Sequence, residues 1–279
     1  MSRNKERFAE FNPETAGQPQ SASPTPSGTV PFSFAVPTEF VELPSGGIFY
    51  TEGHPLHGIS TVEIRFMTAK DEDILTSKAY LSQGVALDRL LESVIVDRRV
   101  NPKELLIVDK NAILVAARIT GYGSNFETSV LCPACGNRDS VTIDLAESYK
   151  ISDNAAANGD PVLHVALESA DVNIGFRPLT GVDEEWMAES NRMKSKHGLP
   201  ETPLTDMLRR IIVSVNGIED PGTIEKLINV LPATESRRIR QAYNDAVPNI
   251  EIKIEFNCSK CTHKEALEVP LNADFFWPG

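Results

Sequence analysis

The chain has 279 residues and 41% of them are apolar, so it can bury a sizeable core in one large or two modest domains. Its net charge of −12 argues against a protein whose main task is to bind nucleic acid. The apolar runs are far shorter than the ~18 residues of a membrane-spanning helix, and the N-terminus lacks the apolar segment of a secretory signal. We therefore expect a soluble cytosolic protein with no membrane partner.

The N-terminal segment has the composition of a flexible tail. Residues 12–31 are rich in Pro, Ser, Thr and Gly and contain almost no large apolar side chain. Such a segment cannot bury enough surface to offset the entropy that ordering costs. Residues 1–31 are therefore predicted to be a disordered tail, ordered only where a partner holds it.

Residues 32–124 are predicted to form an α+β domain. The turn sequence LPSGG at 43–47 separates two groups of β-formers and predicts a hairpin, and alternating residues at 61–67 predict a third strand. Three amphipathic helices follow in the prediction. The first begins at a capping box of Thr68 and Asp71, the second follows Gly84, and the third is capped by Asp109 and ends at Gly121.

The remaining chain alternates between strands and helices, with no evident internal repeat. Residues 182–247 are largely helical in pattern, and the clearest helix begins at Thr205 and continues through Ile211, Ile212 and Val215. Strands are predicted at 127–131, 140–145, 162–167, 172–177, 250–256 and 266–269.

All four cysteines lie in two C-x-x-C pairs, which is the sharpest chemical signal in the sequence. Cys132 and Cys135 form the first pair, Cys258 and Cys261 the second, and each pair lies between predicted strands. Two such hairpin tips predict a zinc ribbon that holds one structural zinc ion. We interpret the 122 residues between the pairs as containing a helical insertion (about 181–247) within a ribbon domain of residues 125–271.

Other uses of the cysteines and histidines are less well supported. Two disulfides or a redox pair would also use the cysteines, but a cytosolic chain and flanking strands disfavour both. His263 can replace one cysteine as a ligand, and His54 and His57 can bind a metal weakly. Because the motifs of the common catalytic sites are missing, we expect no catalytic residues, no other cofactor, no small-molecule substrate and no enzyme activity.

The chain ends in a short aromatic tail at residues 272–279. Phe275, Phe276 and Trp277 are consecutive aromatic residues near the C-terminus. They can pack back on the fold of their own chain, which is the first expectation. They can also anchor the chain to a partner, since aromatic side chains dominate interface hot spots.

Several segments together resemble a known family. LPSGGIFY, VEIRFMTAKDEDIL, GVALDRLLESVIVD and PKELLIVDKNAILVAARITGYG, within residues 43–123, resemble the base plate hub and hub assembly chaperone proteins of T-even-like contractile-tailed bacteriophages. CPACG and PATESRRIRQAY fit the same group. The resemblance implies a protein that acts through contacts with other base plate and tail subunits. It would be present in the host cytoplasm during assembly, and in the tail if it is a hub component.

The predicted fold class is therefore α+β: a small N-terminal sheet with amphipathic helices, a zinc ribbon of two hairpins, and a helical insertion between the knuckles. The leading hypothesis is a non-enzymatic base plate hub or assembly protein. A zinc-ribbon regulator that binds nucleic acid is the alternative, and a zinc hydrolase is a third. The alternative needs net positive charge around the ribbon, whereas basic and acidic residues are balanced there: Arg138, Lys253, Lys260 and Lys264 against Asp139, Glu251, Glu255 and Glu265.

Overall fold

The computed structural model describes residues 35–152, 160–169, 171–269, 271 and 273–276, and these combine helices with small antiparallel sheets. The predicted α+β class is confirmed. Residues Val36–Gly279 form one compact unit, and the predicted tail at 1–31 lies outside the described residues. Among the described helices, none has the length and apolar character that crossing a bilayer requires. The predicted domain boundary at 124/125 stays a prediction.

The N-terminal sheet has two strands. β1 (Thr38–Glu42) pairs antiparallel with β2 (Thr61–Arg65) in a register that places Val41 opposite Val62, and both side chains are buried. The predicted strand at 61–67 is confirmed over residues 61–65, but the predicted hairpin across 43–47 is wrong. β1 is paired with the later strand because residues 43–60 form a series of turns that folds onto a helix.

Asp109 is the residue that holds this turn segment in place. It lies inside the first turn of a helix and is fully buried, so its predicted role as a helix cap is wrong. Its carboxylate accepts hydrogen bonds from the Ser45 backbone (3.0 Å), the Ser45 hydroxyl (2.6 Å) and the Tyr50 hydroxyl (2.8 Å). A buried carboxylate needs such donors to offset its desolvation.

The predicted helices of this region are present. Thr68 and Asp71 form the predicted capping box, and Leu90, Leu91 and Val94 are fully buried as the helical period requires. The helices are α1 (Ala69–Thr76), α2 (Lys78–Gln83), α3 (Ala86–Val94) and, after a 3-10 turn at Pro102–Glu104, α4 (Ile107–Tyr122).

Within the described residues, the chain after α4 contains three further sheets. The elements are β3 (Asn125–Leu131), β4 (Arg138–Asp144), α5 (Leu145–Ser148), β5 (Tyr149–Ile151), β6 (Leu163–Ala166), β7 (Asn173–Phe176), α6 (Gly181–Lys196), α7 (Pro203–Ile211), β8 (Ile212–Val215), α8 (Pro221–Val230), α9 (Ala233–Ala246), β9 (Ile250–Asn257) and β10 (Lys264–Glu268). β3 pairs with β4, β6-β7-β8 form one three-stranded sheet, and β10-β9-β5 form another.

The helix predicted from Thr205 ends earlier than expected. α7 ends at Ile211, and the following residues form β8, in which Ile212 pairs with Phe176 of β7. A run of β-branched residues is compatible with either a helix or a strand. Here these residues form a strand because the edge of β7 offers them a pairing partner. The prediction is therefore wrong for residues 212–215.

The aromatic C-terminus packs against its own chain. Phe275 and Phe276 are buried in the main core, and the Arg118 guanidinium donates a hydrogen bond to the Phe275 carbonyl (3.1 Å). The first expectation for these two residues is confirmed, and the hypothesis that they anchor a partner is wrong. Trp277 lies outside the described residues.

Candidate metal centre

Two hairpin tips bring the four cysteines together. Cys132 and Cys135 lie in the turn between β3 and β4, and Cys258 and Cys261 lie in the turn between β9 and β10. Antiparallel pairing continues up to the residue before the first cysteine in each hairpin. The sequence prediction of two C-x-x-C hairpin tips is thus confirmed by the strand pairing.

Each tip is shaped by backbone hydrogen bonds around its first cysteine. The Cys132 N–H donates to the Asn137 carbonyl (2.8 Å), and the Gly136 N–H donates to the Cys132 carbonyl (2.9 Å). Gly136 has φ +69°, a conformation that costs glycine little. In the second tip the Cys258 N–H donates to the His263 carbonyl (3.0 Å), and the Lys260 N–H points at the Cys258 sulfur (3.4 Å).

The positions of the sulfur atoms fit one tetrahedral ion. All four lie within 4.8 Å of one another. Cys132 Sγ is 3.7 Å from Cys261 Sγ, and Cys135 Sγ is 3.6 Å from Cys258 Sγ. Ligands at ~2.3 Å from a tetrahedral zinc ion are separated by about 3.8 Å. All four cysteines are free, so the two-disulfide alternative is not what the structure shows.

The pKa values of Cys132 and Cys261 are shifted in opposite directions. Desolvation alone would raise the pKa of Cys132, but the N–H groups of Cys135 and Ala134 lower it to about 7. The His263 N–H lowers the pKa of Cys261, yet desolvation and hydrogen bonds with the other thiols raise it to about 12. Four thiolates at this spacing repel one another, and a divalent cation at their centre would relieve that repulsion.

The two tips are also joined by a polar link that the sequence prediction missed. The Asp139 carboxylate of the first hairpin accepts hydrogen bonds from the Ser259 N–H (3.0 Å) and from the Ser259 hydroxyl of the second. These bonds hold the pKa of Asp139 below its usual value. Asn137 donates to the same carboxylate (2.8 Å). No sequence motif marks this link, because it exists only once the two tips are adjacent.

The histidines considered in the sequence prediction have other contacts. The His263 ring is paired with Glu265 (3.2 Å), the His57 ring contacts the Tyr50 carbonyl (2.6 Å), and His54 stacks on the Tyr50 ring. Within the part of the chain that the structure describes, the four cysteines are the one group of three or more potential ligands close enough to hold a metal ion. Four thiolates would complete a tetrahedral sphere and leave no open position for a substrate.

Comparison with known protein families gives a match over most of the chain. A family model described as "T4 bacteriophage base plate protein" matches residues 36–277. A search of curated proteins and a search of solved structures each found no match. The matched range includes every strand and helix described above and all four cysteines.

Proposed function

The chain belongs to the T4 bacteriophage base plate protein family, and from this membership we propose that it is a hub or hub-assembly subunit of a contractile-tail base plate. The match over residues 36–277 carries this proposal. We further propose that the protein is not an enzyme and acts through contacts with other base plate and tail subunits. It would assemble in the host cytoplasm, and as a hub component it would remain in the virion tail.

We propose that Cys132, Cys135, Cys258 and Cys261 hold one structural zinc ion. The donor set supports zinc, since thiolates at tetrahedral spacing are the ligands of closed structural zinc sites. When bound, the ion would supply a rigid link between two hairpins. Asp139 and Ser259 would keep the hairpin tips adjacent, so that little reorganisation is needed when the ion binds.

The surroundings of the ribbon support a protein-binding role better than nucleic-acid binding. Nucleic-acid binding would need unpaired cations beside the ribbon. Lys253 is instead paired with Glu251 (2.6 Å). The other basic residues there, Arg138, Lys260 and Lys264, are matched in number by Asp139, Glu255 and Glu265. The overall charge of −12 has the same sign as the phosphate backbone.

Quantitative mass spectrometry of purified tails and of base plate assembly intermediates tests the proposed role. A hub subunit is expected in both fractions at a fixed ratio to the other tail proteins. An assembly protein is expected in the intermediates alone. Absence from both fractions, together with normal base plates from a phage that lacks the protein, would overturn the proposal.

A further inference from the structure

We propose that this chain is a tandem duplication of one module, and that the four-cysteine centre lies on a pseudo-two-fold axis to which each copy contributes one C-x-x-C hairpin. Each copy consists of a head followed by its C-x-x-C hairpin. Head 1 runs from β1 to α4 and is followed by β3–β4, whereas head 2 runs from β6 to α9 and is followed by β9–β10. The two copies are related by contacts within the protein, so the duplication depends neither on the proposed base plate role nor on the identity of the metal.

The first shared feature is a buried aspartate at the start of the first helix of each head. An arginine lies at the end of the second strand of each head: it is the last strand residue in head 1 and the next residue in head 2. Its two terminal nitrogens donate to the two carboxylate oxygens of the aspartate six positions later, at 2.7–3.0 Å. The same carboxylate accepts the N–H and hydroxyl of a threonine three positions before it. The residues are Arg65, Thr68 and Asp71 in head 1 and Arg177, Thr180 and Asp183 in head 2.

The second shared feature is the return of the chain to the sheet after the next amphipathic helix. Ile95 is the first residue after α3 and bridges antiparallel to Ile64, the residue before the arginine of head 1. Ile212 is the first residue after α7 and pairs antiparallel with Phe176, the residue before the arginine of head 2. In both heads, therefore, the chain that leaves the helix pairs with the second strand at the same position relative to the arginine.

The third shared feature is a buried acid at the third position of the last helix of each head. The Ser45 N–H, three residues after β1, donates to Asp109 of α4 (3.0 Å). The Ser169 N–H, three residues after β6, donates to Glu235 of α9 (2.8 Å). Both acids are buried. The interval from the acid to the first cysteine is 23 residues in each copy (109 to 132 and 235 to 258).

The two hairpins correspond position by position. In both hairpins, the residue just before the first cysteine pairs with the residue six positions after that cysteine. The pairs are Leu131 with Arg138 and Asn257 with Lys264. The apolar cluster beneath the cysteines contains three pairs of equivalent residues: Val130 with Phe256, Cys132 with Cys258 and Val141 with Leu267. Cys261 also packs against this cluster, whereas its counterpart Cys135 is exposed.

Contacts between the hairpins have the exchange symmetry of a two-fold axis. The first cysteine of each hairpin lies beside the second cysteine of the other, at 3.7 and 3.6 Å. Farther from the tips, Tyr149 pairs with Ile252. The equivalent contact joins Phe275, the counterpart of Tyr149, to Phe126, the counterpart of Ile252, with ring centroids 5.3 Å apart. The two tips of a single zinc ribbon are also related by such symmetry, so the hairpins alone do not indicate a duplication. The evidence for a duplication is that the heads share the same features.

This organisation replaces the predicted helical insertion with a second copy of the N-terminal unit. The copies differ in their first connection, where residues 43–60 separate the first two strands of head 1 and residues 167–172 those of head 2. They also differ in their helices: α1 and α2 stand where head 2 has α6, and the 3-10 turn at Pro102–Glu104 stands where head 2 has α8. A chain with a single module would supply two of the four thiolates and would need a second copy of itself to complete the site.

Exchange of the two hairpins within the full-length chain tests the two-fold relation. Residues 126–143 and 252–269 are swapped, which under two-fold symmetry preserves every contact between the hairpins, including Asp139 with Ser259. The exchanged chain is expected to bind one zinc ion with an affinity within about tenfold of the parent. Each hairpin replaces the other's buried apolar residues with apolar residues of its own, so packing against the heads is largely kept. The matched control carries residues 252–269 in both places. It loses the Asp139–Ser259 link and should bind zinc more weakly than the exchanged chain.

An exchanged chain that folds but binds zinc no better than the control would overturn the two-fold relation. An experimental structure of the full-length zinc protein tests the duplication even if the exchanged chain fails to fold. The four equivalent elements of the heads, β1–β2 with α3 and α4, should superpose on β6–β7 with α7 and α9 in the same order and direction. Heads with different topologies would overturn the duplication.

Discussion

Two arginine–aspartate pairs show what single residues contribute to this fold. Asp71 and Asp183 are fully buried, while their arginine partners are 22% and 31% exposed. Desolvation alone would raise the pKa of each aspartate. Hydrogen bonds from arginine, and from the threonine that begins the helix, outweigh it and lower both values to about 2. Each pair therefore stabilises the folded state most when the carboxylate is charged.

Asp71→Asn should lower the free energy of unfolding by about 2 kcal/mol at pH 7, because the charged partner of Arg65 is lost. The folded-state pKa lies below the unfolded value, so this stabilisation is present above pH ~4 and is lost as the pH falls toward 2. Urea unfolding from pH 7 to pH 2.5 should show the wild-type and variant curves converging in acid.

Asp73→Asn is the matched control for this prediction, since Asp73 is exposed on the same helix. It should change stability little at any pH. A difference between wild type and Asp71→Asn that stays constant down to pH 2.5 would contradict the assigned role of the Asp71 charge.

At the scale of elements, the C-x-x-C turn depends on one backbone conformation. Gly136 has φ +69°, and a Cβ added there would meet no atom within 4 Å. A substitution at this position therefore acts through backbone strain alone. Gly58 has φ +67° and equally open surroundings, but it lies in the turn segment of head 1, away from the cysteines.

Gly136→Ala and Gly58→Ala should each cost about 1 kcal/mol of stability, the penalty for a side chain in the left-handed region. Only Gly136→Ala should also weaken zinc binding, by about fivefold, because the strain is relieved by movement of the turn that holds Cys132 and Cys135. Competition with a chromophoric chelator measures this difference. Equal weakening by both variants would show that the turn does not control the site.

At the scale of the whole molecule, the cysteine centre joins parts of the chain that already share a core. Ile250, Ile252 and Val269 of the second hairpin region pack in the same cluster as the helices of head 1. Head 2 has a separate cluster around Ile174 and Ile239. Loss of the ion should therefore loosen the hairpins without unfolding either head.

Cys132→Ser/Cys135→Ser should abolish stoichiometric zinc and lower Tm by on the order of 10 °C, since such sites contribute several kcal/mol to stability. Circular dichroism should show that most helix is retained. His263→Ala keeps all four thiols and is expected to retain the metal. A double serine variant with the Tm of the parent would contradict a structural role for the ion.

The amino-acid sequence by itself determined the local features of this protein. The C-x-x-C spacing between β-formers predicts the hairpin tips, and the helical spacing of apolar residues, together with a capping box, predicts α1 and α3. These signals act over a few neighbouring residues, and so they survive in any tertiary context.

The tertiary structure decided which distant parts meet. It paired β1 with β2 across a long turn, buried Asp109 beneath Ser45 and converted residues 212–215 to a strand. The second copy of the module is only sparsely marked in the sequence: Arg-x-x-Thr-x-x-Asp occurs at 65–71 and again at 177–183, whereas the other positions that the heads share are scattered acceptors and core residues. Their common role depends on contacts across the fold, and a linear pattern does not record which residues will be neighbours.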